Sequence, residues 1–261
     1  MTPLFATRRL IFVAFVIGLA SGVFGGLVGL GGGAIMVPLL TGWARLSQHE
    51  AHATSLAGVV ATGVAGALTY AHAGAVHWQN ALLLAAVSVI ATYAAAHYSH
   101  DIAAARLRRY FGMFLIVSAI LLVSKDQLLA LHAPAGAWTV LFLLVTGLLV
   151  GIAAGLLGVG GGALMVPLLV IGVGMSQHIA QGTSLAAMVP AGASGTIAHV
   201  RRGALRLDAV LPLIPGIAFG SWLGGRFALA MPAMTLRVVF ALVLLILGAR
   251  YLKAAPRPAA T

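Results

Sequence analysis

The chain is built from long apolar runs separated by short polar punctuation. The runs fall at 10–30, 34–45, 50–72, 79–98 and 107–124, and then at 137–157, 163–174, 179–199, 209–229 and 236–252. The hydrocarbon core of a bilayer takes about 20 residues of helix, and most of the runs match that length. Runs 34–45 and 163–174 do not: about a dozen residues make roughly 18 Å of helix, too short to cross. Each of the two follows a glycine cluster (Gly29, Gly31, Gly32, Gly33; Gly158, Gly160, Gly161, Gly162) and carries a proline, Pro38 or Pro167. Glycine accepts backbone angles closed to other residues, and a proline early in a helix needs no N–H partner. The pattern predicts a hairpin in each case: a helix enters the membrane, breaks at the glycines, and a half-helix returns. Such a break survives in lipid only where protein or a water-filled cavity satisfies its free backbone groups.

The pattern is also written twice. Residues 18–40 and 147–169 agree at 15 of 23 positions, and the same offset of 129 carries Ser47-Gln48-His49 onto Ser176-Gln177-His178. It carries Thr54-Ser55-Leu56 onto Thr183-Ser184-Leu185, Gly74-Ala75 onto Gly203-Ala204, and Leu107-Arg108 onto Leu236-Arg237. Internal repetition in an apolar chain points to a transporter. The expected division is repeat 1 over 1–124 (hairpin 10–45; helices 50–72, 79–98 and 107–124) and a linker at 125–136. Repeat 2 follows over 137–252 (hairpin 137–174; helices 179–199, 209–229 and 236–252), and 253–261 forms a cytoplasmic tail.

Composition excludes a soluble globule. Hydrophobic residues make up 61% of the chain and charged residues 7%, against about a quarter in water-soluble domains. The absence of cysteine excludes disulfides, thiolate metal sites and cysteine nucleophiles. A net charge of +11 would suggest nucleic acid in a soluble protein. Here the basic residues form short clusters between apolar runs, as in cytoplasmic loops, and no nucleic-acid partner is expected. The first 22 residues imitate a signal peptide, but their apolar run continues into repeat 1 and has a counterpart at 137–157, so a retained helix is expected.

Charge also tests the topology. With the N-terminus inside and both hairpins returning to their own side, the loops at 99–109 and 200–208 and the C-terminus all lie in the cytoplasm. Those three segments hold the richest Arg/Lys clusters, whereas the loops assigned outside (73–78, 125–136, 172–178) hold only Lys125. The positive-inside rule prefers this arrangement, which makes three crossings per repeat and inverts the second repeat relative to the first. The expected fold is therefore an all-α polytopic membrane protein of two inverted-topology repeats. Each is a Gly-broken hairpin followed by three transmembrane helices, with both termini cytoplasmic.

Candidate chemistry starts with Gly31, Gly32 and Gly33 and with Gly160, Gly161 and Gly162. A half-helix N-terminus offers open N–H groups and partial positive charge to an anion, and two such ends would meet near the midplane. Packing alone rarely needs three consecutive glycines. Gly18/Gly22/Gly26 and Gly147/Gly151/Gly155 instead read as ridges for close helix approach. Thr54, Ser55, Thr183 and Ser184 lie about a third of the way across the core. Their hydroxyls either donate to a sulfonate or carboxylate oxygen or bond back to the carbonyl four residues earlier. Ser47 and Ser176 read as N-caps. Secondary candidates are Gln48, His49, Gln177 and His178 near the membrane surface, and Arg226, which either pairs with an anion or snorkels. No metal site and no cofactor are expected. Two rival readings are a metal carrier using His72, His97 and His199, and a serine hydrolase using Ser194 of Gly192-Ala193-Ser194-Gly195. Neither has a dense ligand set or a base on a separate helix.

The doubled GxGGGxxMVPLL, each copy preceded by an apolar helix and followed by a helix opening with TSL, resembles the TauE/SafE family of sulfite and organosulfonate exporters. The likeness covers 10–252 and extends to toluene-sulfonate uptake permease-like transporters. It implies a bacterial inner-membrane carrier of small anions working by alternating access, with a small anion and the lipid bilayer as partners and a homodimer as a candidate assembly. No arginine lies mid-membrane, which leaves anion selectivity to helix ends and hydroxyls.

Overall fold

The computed structural model describes residues 3–98, 104–124, 136–158 and 160–253. The expected linker, apart from Gly136, and the tail beyond Lys253 lie outside the described residues, as do the side chains of Arg106 and Arg108. Among the described residues there are ten helices and no strand. The first half of the chain, the expected repeat 1, supplies α1 (Pro3–Val28), α2 (Gly33–Gly42), α3 (Gln48–His72), α4 (Trp78–His97) and α5 (Ala104–Val123). The second half, the expected repeat 2, supplies α6 (Ala137–Leu157), α7 (Gly162–Gly172), α8 (Gln177–Val200), α9 (Leu207–Ala230) and α10 (Ala233–Lys253).

Six of these are long and apolar enough to cross a bilayer: the Leu10–Val28 part of α1, and α3, α4, α6, α9 and α10. Phe12, Leu82, Ile90 and Ile246 stand about 70% exposed on the outside of the bundle, where only lipid tolerates so much apolar surface (69%, 69%, 72% and 68%). The chain is a multi-pass membrane protein. α8 is long enough to span but more polar, and it is packed inside against α3 and α4, where its hydroxyls and amides are shielded from lipid.

Local signals place the helix starts. Ser47 Oγ accepts the Glu50 N–H (3.3 Å) while the Glu50 carboxylate accepts the Ser47 N–H (2.9 Å), a complete capping box. Ser176 Oγ accepts the Ile179 N–H in the same way. Pro38 and Pro167 depart from expectation. Each lies past the first turn of its half-helix, where it removes an N–H that would otherwise bond Ala34 or Ala163. Each half-helix is thus weakened in its middle.

Packing exchanges helices between the copies. α1 of repeat 1 lies along α9 of repeat 2, and α6 of repeat 2 lies along α4 of repeat 1; α3 packs on α8 and α5 on α10. Glycine makes the first two contacts possible. A Cβ on Gly18, Gly22 or Gly26 would clash with the carbonyl oxygen of Leu213, Ile217 or Ser221, and one on Gly216, Gly220 or Gly224 with that of Phe15, Leu19 or Val23. Gly147, Gly151 and Gly155 sit the same way against the carbonyls of Leu84, Ser88 and Thr92, at 2.6, 2.8 and 2.6 Å. The expected ridges are therefore close-packing faces, which is how helices associate where no hydrophobic effect drives them together.

The helix ends sort into two groups. The Glu50–Arg206 ion pair (3.2 Å) joins the start of α3 to the start of α9, and Arg201 donates to Tyr93 Oη (3.0 Å) across the ends of α8 and α4. Hydrogen bonds from Arg206 to Asp208, and then to Glu50, hold its guanidinium pKa above the ordinary value. At the other end of α9, His178 Nε2 bonds Ala228 O (3.1 Å), which places the start of α8 there. α3 and α8 accordingly begin at opposite ends of α9.

Candidate functional site

Two helix breaks form the centre of the molecule. Gly29, Gly31 and Gly32 have φ of 73°, 76° and 75°, and Gly158, Gly160 and Gly161 have φ of 65°, 86° and 79°. These angles are open to glycine and strained for any other residue, by about 1–2 kcal/mol each. Gly32 and Gly161 are the N-caps of α2 and α7, and neither helix has a side-chain cap. The first amides of each half-helix therefore have no carbonyl partner in their own helix.

The breaks touch one another. A Cβ on Gly162 would meet the Gly29 carbonyl oxygen at 2.5 Å and Leu30 Cα at 2.8 Å. One on Gly31 would meet Val59 and Met188, both at 3.2 Å, and one on Gly160 would meet Val59 at 2.9 Å. Val59 and Met188 are the same position in the two copies, about halfway along α3 and α8.

The threonines and serines do something the sequence did not suggest. Ser55 Oγ donates to the carbonyl of Gly158 (3.0 Å), and Ser184 Oγ donates to the carbonyl of Gly29 (3.3 Å). Each serine holds the broken helix of the other repeat, rather than a carbonyl on its own helix. Thr183 Oγ1 accepts the His77 N–H (2.9 Å), and Thr54 Oγ1 is buried with no hydrogen-bond partner among the described residues. The glycines and the two serines thus converge; Thr183 faces the turn before α4.

Beside the first break lies an open crevice of about 220 Å³. Gly33 and Ala34 of α2 form its inner end, Val37 and Pro38 continue along one wall, and Gln48 and His52 of α3 face them. α10 closes the other side with Leu247, Arg250 and Tyr251. Gln48 Nε2 and His52 Nε2 lie 2.9 Å apart. The crevice thus combines open helix-terminal amides, a guanidinium and neutral donors with no carboxylate among its lining residues. That chemistry suits an anion.

Gln48, a secondary candidate from the sequence, lines this crevice, and so do His52, Arg250 and Tyr251, which were not among the candidates. His52 is one helical turn beyond Gln48, so i,i+4 spacing was the available signal. Arg250 sat in a basic cluster, and a charge that lines a crevice looks the same in sequence as one that faces the cytoplasm. Of the other secondary candidates, His49 and Arg226 are exposed and outside the crevice, and His178 is engaged with Ala228. Gln177 is 1% exposed, and neither its amide oxygen nor its nitrogen has a partner among the described residues.

His72 and His199 end α3 and α8, which run in opposite directions, so the two lie at opposite ends of the bundle. No group of three potential metal ligands occurs among the described residues. Ser194 Oγ donates to Val89 O (2.9 Å) and Ala191 O (2.8 Å) instead of to a base.

A helical bundle that spans the membrane, with two broken helices meeting at its middle and a polar crevice leading toward them, defines a membrane carrier. A family model described as "Sulfite exporter TauE/SafE" matches residues 13–251, and the chain belongs to that family. It is 27% identical over 259 residues to the "Probable membrane transporter protein YunE" of Bacillus subtilis, covering 90% of this chain and 95% of that one. A "Probable membrane transporter protein" of Haemophilus influenzae is 27% identical over 261 residues (91% and 96% covered). One from Methanocaldococcus jannaschii is 23% identical over 253 residues (92% of each). No solved structure matches the chain. The protein is a membrane transporter and not an enzyme.

Proposed function

We propose that this transporter carries small anions such as sulfite, sulfonates or related organic anions, as a secondary carrier working by alternating access. One observation carries the reading: the crevice that ends at the open amides of α2 holds Arg250 and no acid. The substrate would sit where Gly31–Gly33 and Gly160–Gly162 meet. Ser55 and Ser184 would fix the breaks, and Thr54, buried without a hydrogen-bond partner among the described residues, would supply a hydroxyl.

Two inverted repeats are part of the same proposal. The starts of α3 and α8 at opposite ends of α9 support it. So does the charge pattern, because Arg201, Arg206 and Arg250 belong to helix ends on the side of Gln48. That side is the cytoplasm in this reading, and the membrane is the bacterial inner membrane.

Counterflow in proteoliposomes tests the carrier. Wild-type protein is expected to exchange labelled sulfite or ethanesulfonate and to ignore divalent cations. Gly32→Ala adds a methyl against the Ser21 carbonyl, and Gly161→Ala adds one against Val150, both at positive φ. Each should reduce exchange in protein that remains folded by size-exclusion chromatography. Undiminished exchange in both variants removes the assigned site; exchange of cations alone removes the anion reading.

A further inference from the structure

The 129-residue offset lets the two half-helix pockets be compared position by position. Gly33, Ala34, Val37, Pro38 and Gln48 recur as Gly162, Ala163, Val166, Pro167 and Gln177. The remaining polar positions do not recur. Arg250 maps to Leu121, His52 to Gln181, Tyr251 to Leu122 and Thr41 to Val170. One scaffold therefore carries a charged lining in one copy and a neutral one in the other.

The second copy is also shut. Ala163, Val166 and Val170 are fully buried in a core that includes Leu115, Ala119 and Leu122 of α5. α5 packs directly on α7, whereas α10 leaves α2 open. Two amides one turn apart at the start of α8 are buried as well. Gln177 is 1% exposed and unbonded at both ends; Gln181 is fully buried, with Oε1 accepting from Tyr70 Oη (2.8 Å) and Nε2 unbonded among the described residues. Buried amide groups without partners are rare, because each forfeits its hydration for nothing. Gln48 lines the open pocket beside the N-terminus of α2, and Gln177 holds the same place relative to the N-terminus of α7.

We propose that the α7 pocket is a second anion site, closed in this conformation, with Gln177 and Gln181 as its ligand groups. It opens when α5 parts from α7, at the opposite end of the bundle from Arg250. The two sites differ in strength. Arg250 gives the α2 face a charge-assisted contact, and the α7 face offers only neutral donors. Ionic hydrogen bonds outweigh neutral ones by enough to make the difference about tenfold in affinity. The proposal rests on the anion-carrier reading and adds to it unequal faces, set by named residues.

Thermodynamics supplies an internal check. With no gradient or potential imposed, Vmax/KM must be equal in the two directions, so the tighter face must also show the lower Vmax. The experiment measures ethanesulfonate, whose charge does not change near neutral pH, in right-side-out and inside-out membrane vesicles. The wild type is expected to show about a tenfold lower KM at the Arg250 face. Arg250→Leu should bring the two KM values together, Arg250→Lys should keep most of the difference, and Leu121→Arg should lower KM at the other face. Gln177→Leu should raise KM at the α7 face more than at the α2 face. Equal KM values in the wild type, or a ratio unmoved by Arg250→Leu, overturn this proposal and leave anion transport standing. No flux of ethanesulfonate or sulfite by the wild type overturns both.

Discussion

At the scale of single residues, the molecule depends on atoms that satisfy the freed backbone. Ser55 and Ser184 each give one hydrogen bond to a carbonyl released by a broken helix, and each is fully buried. Removing the hydroxyl leaves that carbonyl without this donor in a dry interior, at about 1–3 kcal/mol. Ser55→Ala and Ser184→Ala are therefore expected to lower the detergent melting temperature by several degrees each. The double variant should fall by about the sum, since the two serines serve different breaks. A Ser55→Ala protein melting like the wild type would mean that the Gly158 carbonyl has another partner. The glycines with positive φ make a graded series. Gly203 and Gly74 have φ of 67° and nothing within 4 Å of a Cβ, so alanine there adds only backbone strain, about 1 kcal/mol. Gly161 has the strain and a clash with Val150 together, so Gly161→Ala should be the more damaging in thermal melts.

At the scale of helices, the sequence showed far more of what exists than of what touches what. Lengths, breaks and caps could be read directly: about twenty apolar residues make a crossing helix, GxGGG interrupts one, and Ser47 and Ser176 start the next. Pairing could not be read. α1 meets α9 rather than its own repeat's α4, and the Ser55 contact spans 103 residues of sequence. What the sequence did contain was the compatibility of the faces: Gly18, Gly22 and Gly26 are spaced for one partner, and Gly216, Gly220 and Gly224 for the same partner from the other side. Arg250 and His52 stayed hidden for a related reason, because a crevice is made by elements far apart in the chain. The α4–α6 contact provides a test. A Cβ on Gly151 would lie 2.6 Å from Ala91 Cβ and 2.8 Å from the Ser88 carbonyl, so the helices must separate to accept it. Gly151→Val should destabilise by 2 kcal/mol or more, about what overpacking a tight core does, and should reduce the yield of monodisperse protein. Leu148→Val, on the same helix but 44% exposed toward lipid, should leave both unchanged.

At the scale of the whole molecule, the proposed inversion of the two copies across the membrane has a clean test in the chain's composition. The chain has no cysteine, so any thiol introduced is the only one. Gly74 and Gly203 are the same position in the two repeats, in the turns after α3 and α8. Both have φ of 67° and open space where a side chain would go. Cysteine at either site carries the same strain and disturbs no neighbour, so differences in labelling report sidedness rather than local structure. If the repeats are inverted, Gly74→Cys reacts with an impermeant thiol reagent added to intact cells, and Gly203→Cys reacts only after the membrane is opened. The Arg201 and Arg202 pair next to Gly203 favours the cytoplasm for that turn, and the turn holding Gly74 carries no Lys or Arg. Labelling of both from the same side would place the copies in parallel. The two pockets would then open to one compartment, and alternation between them could not move an anion across. Labelling from opposite sides gives each half-helix pocket its own compartment, which is the geometry that a charged α2 face and a neutral α7 face need in order to load on one side and release on the other.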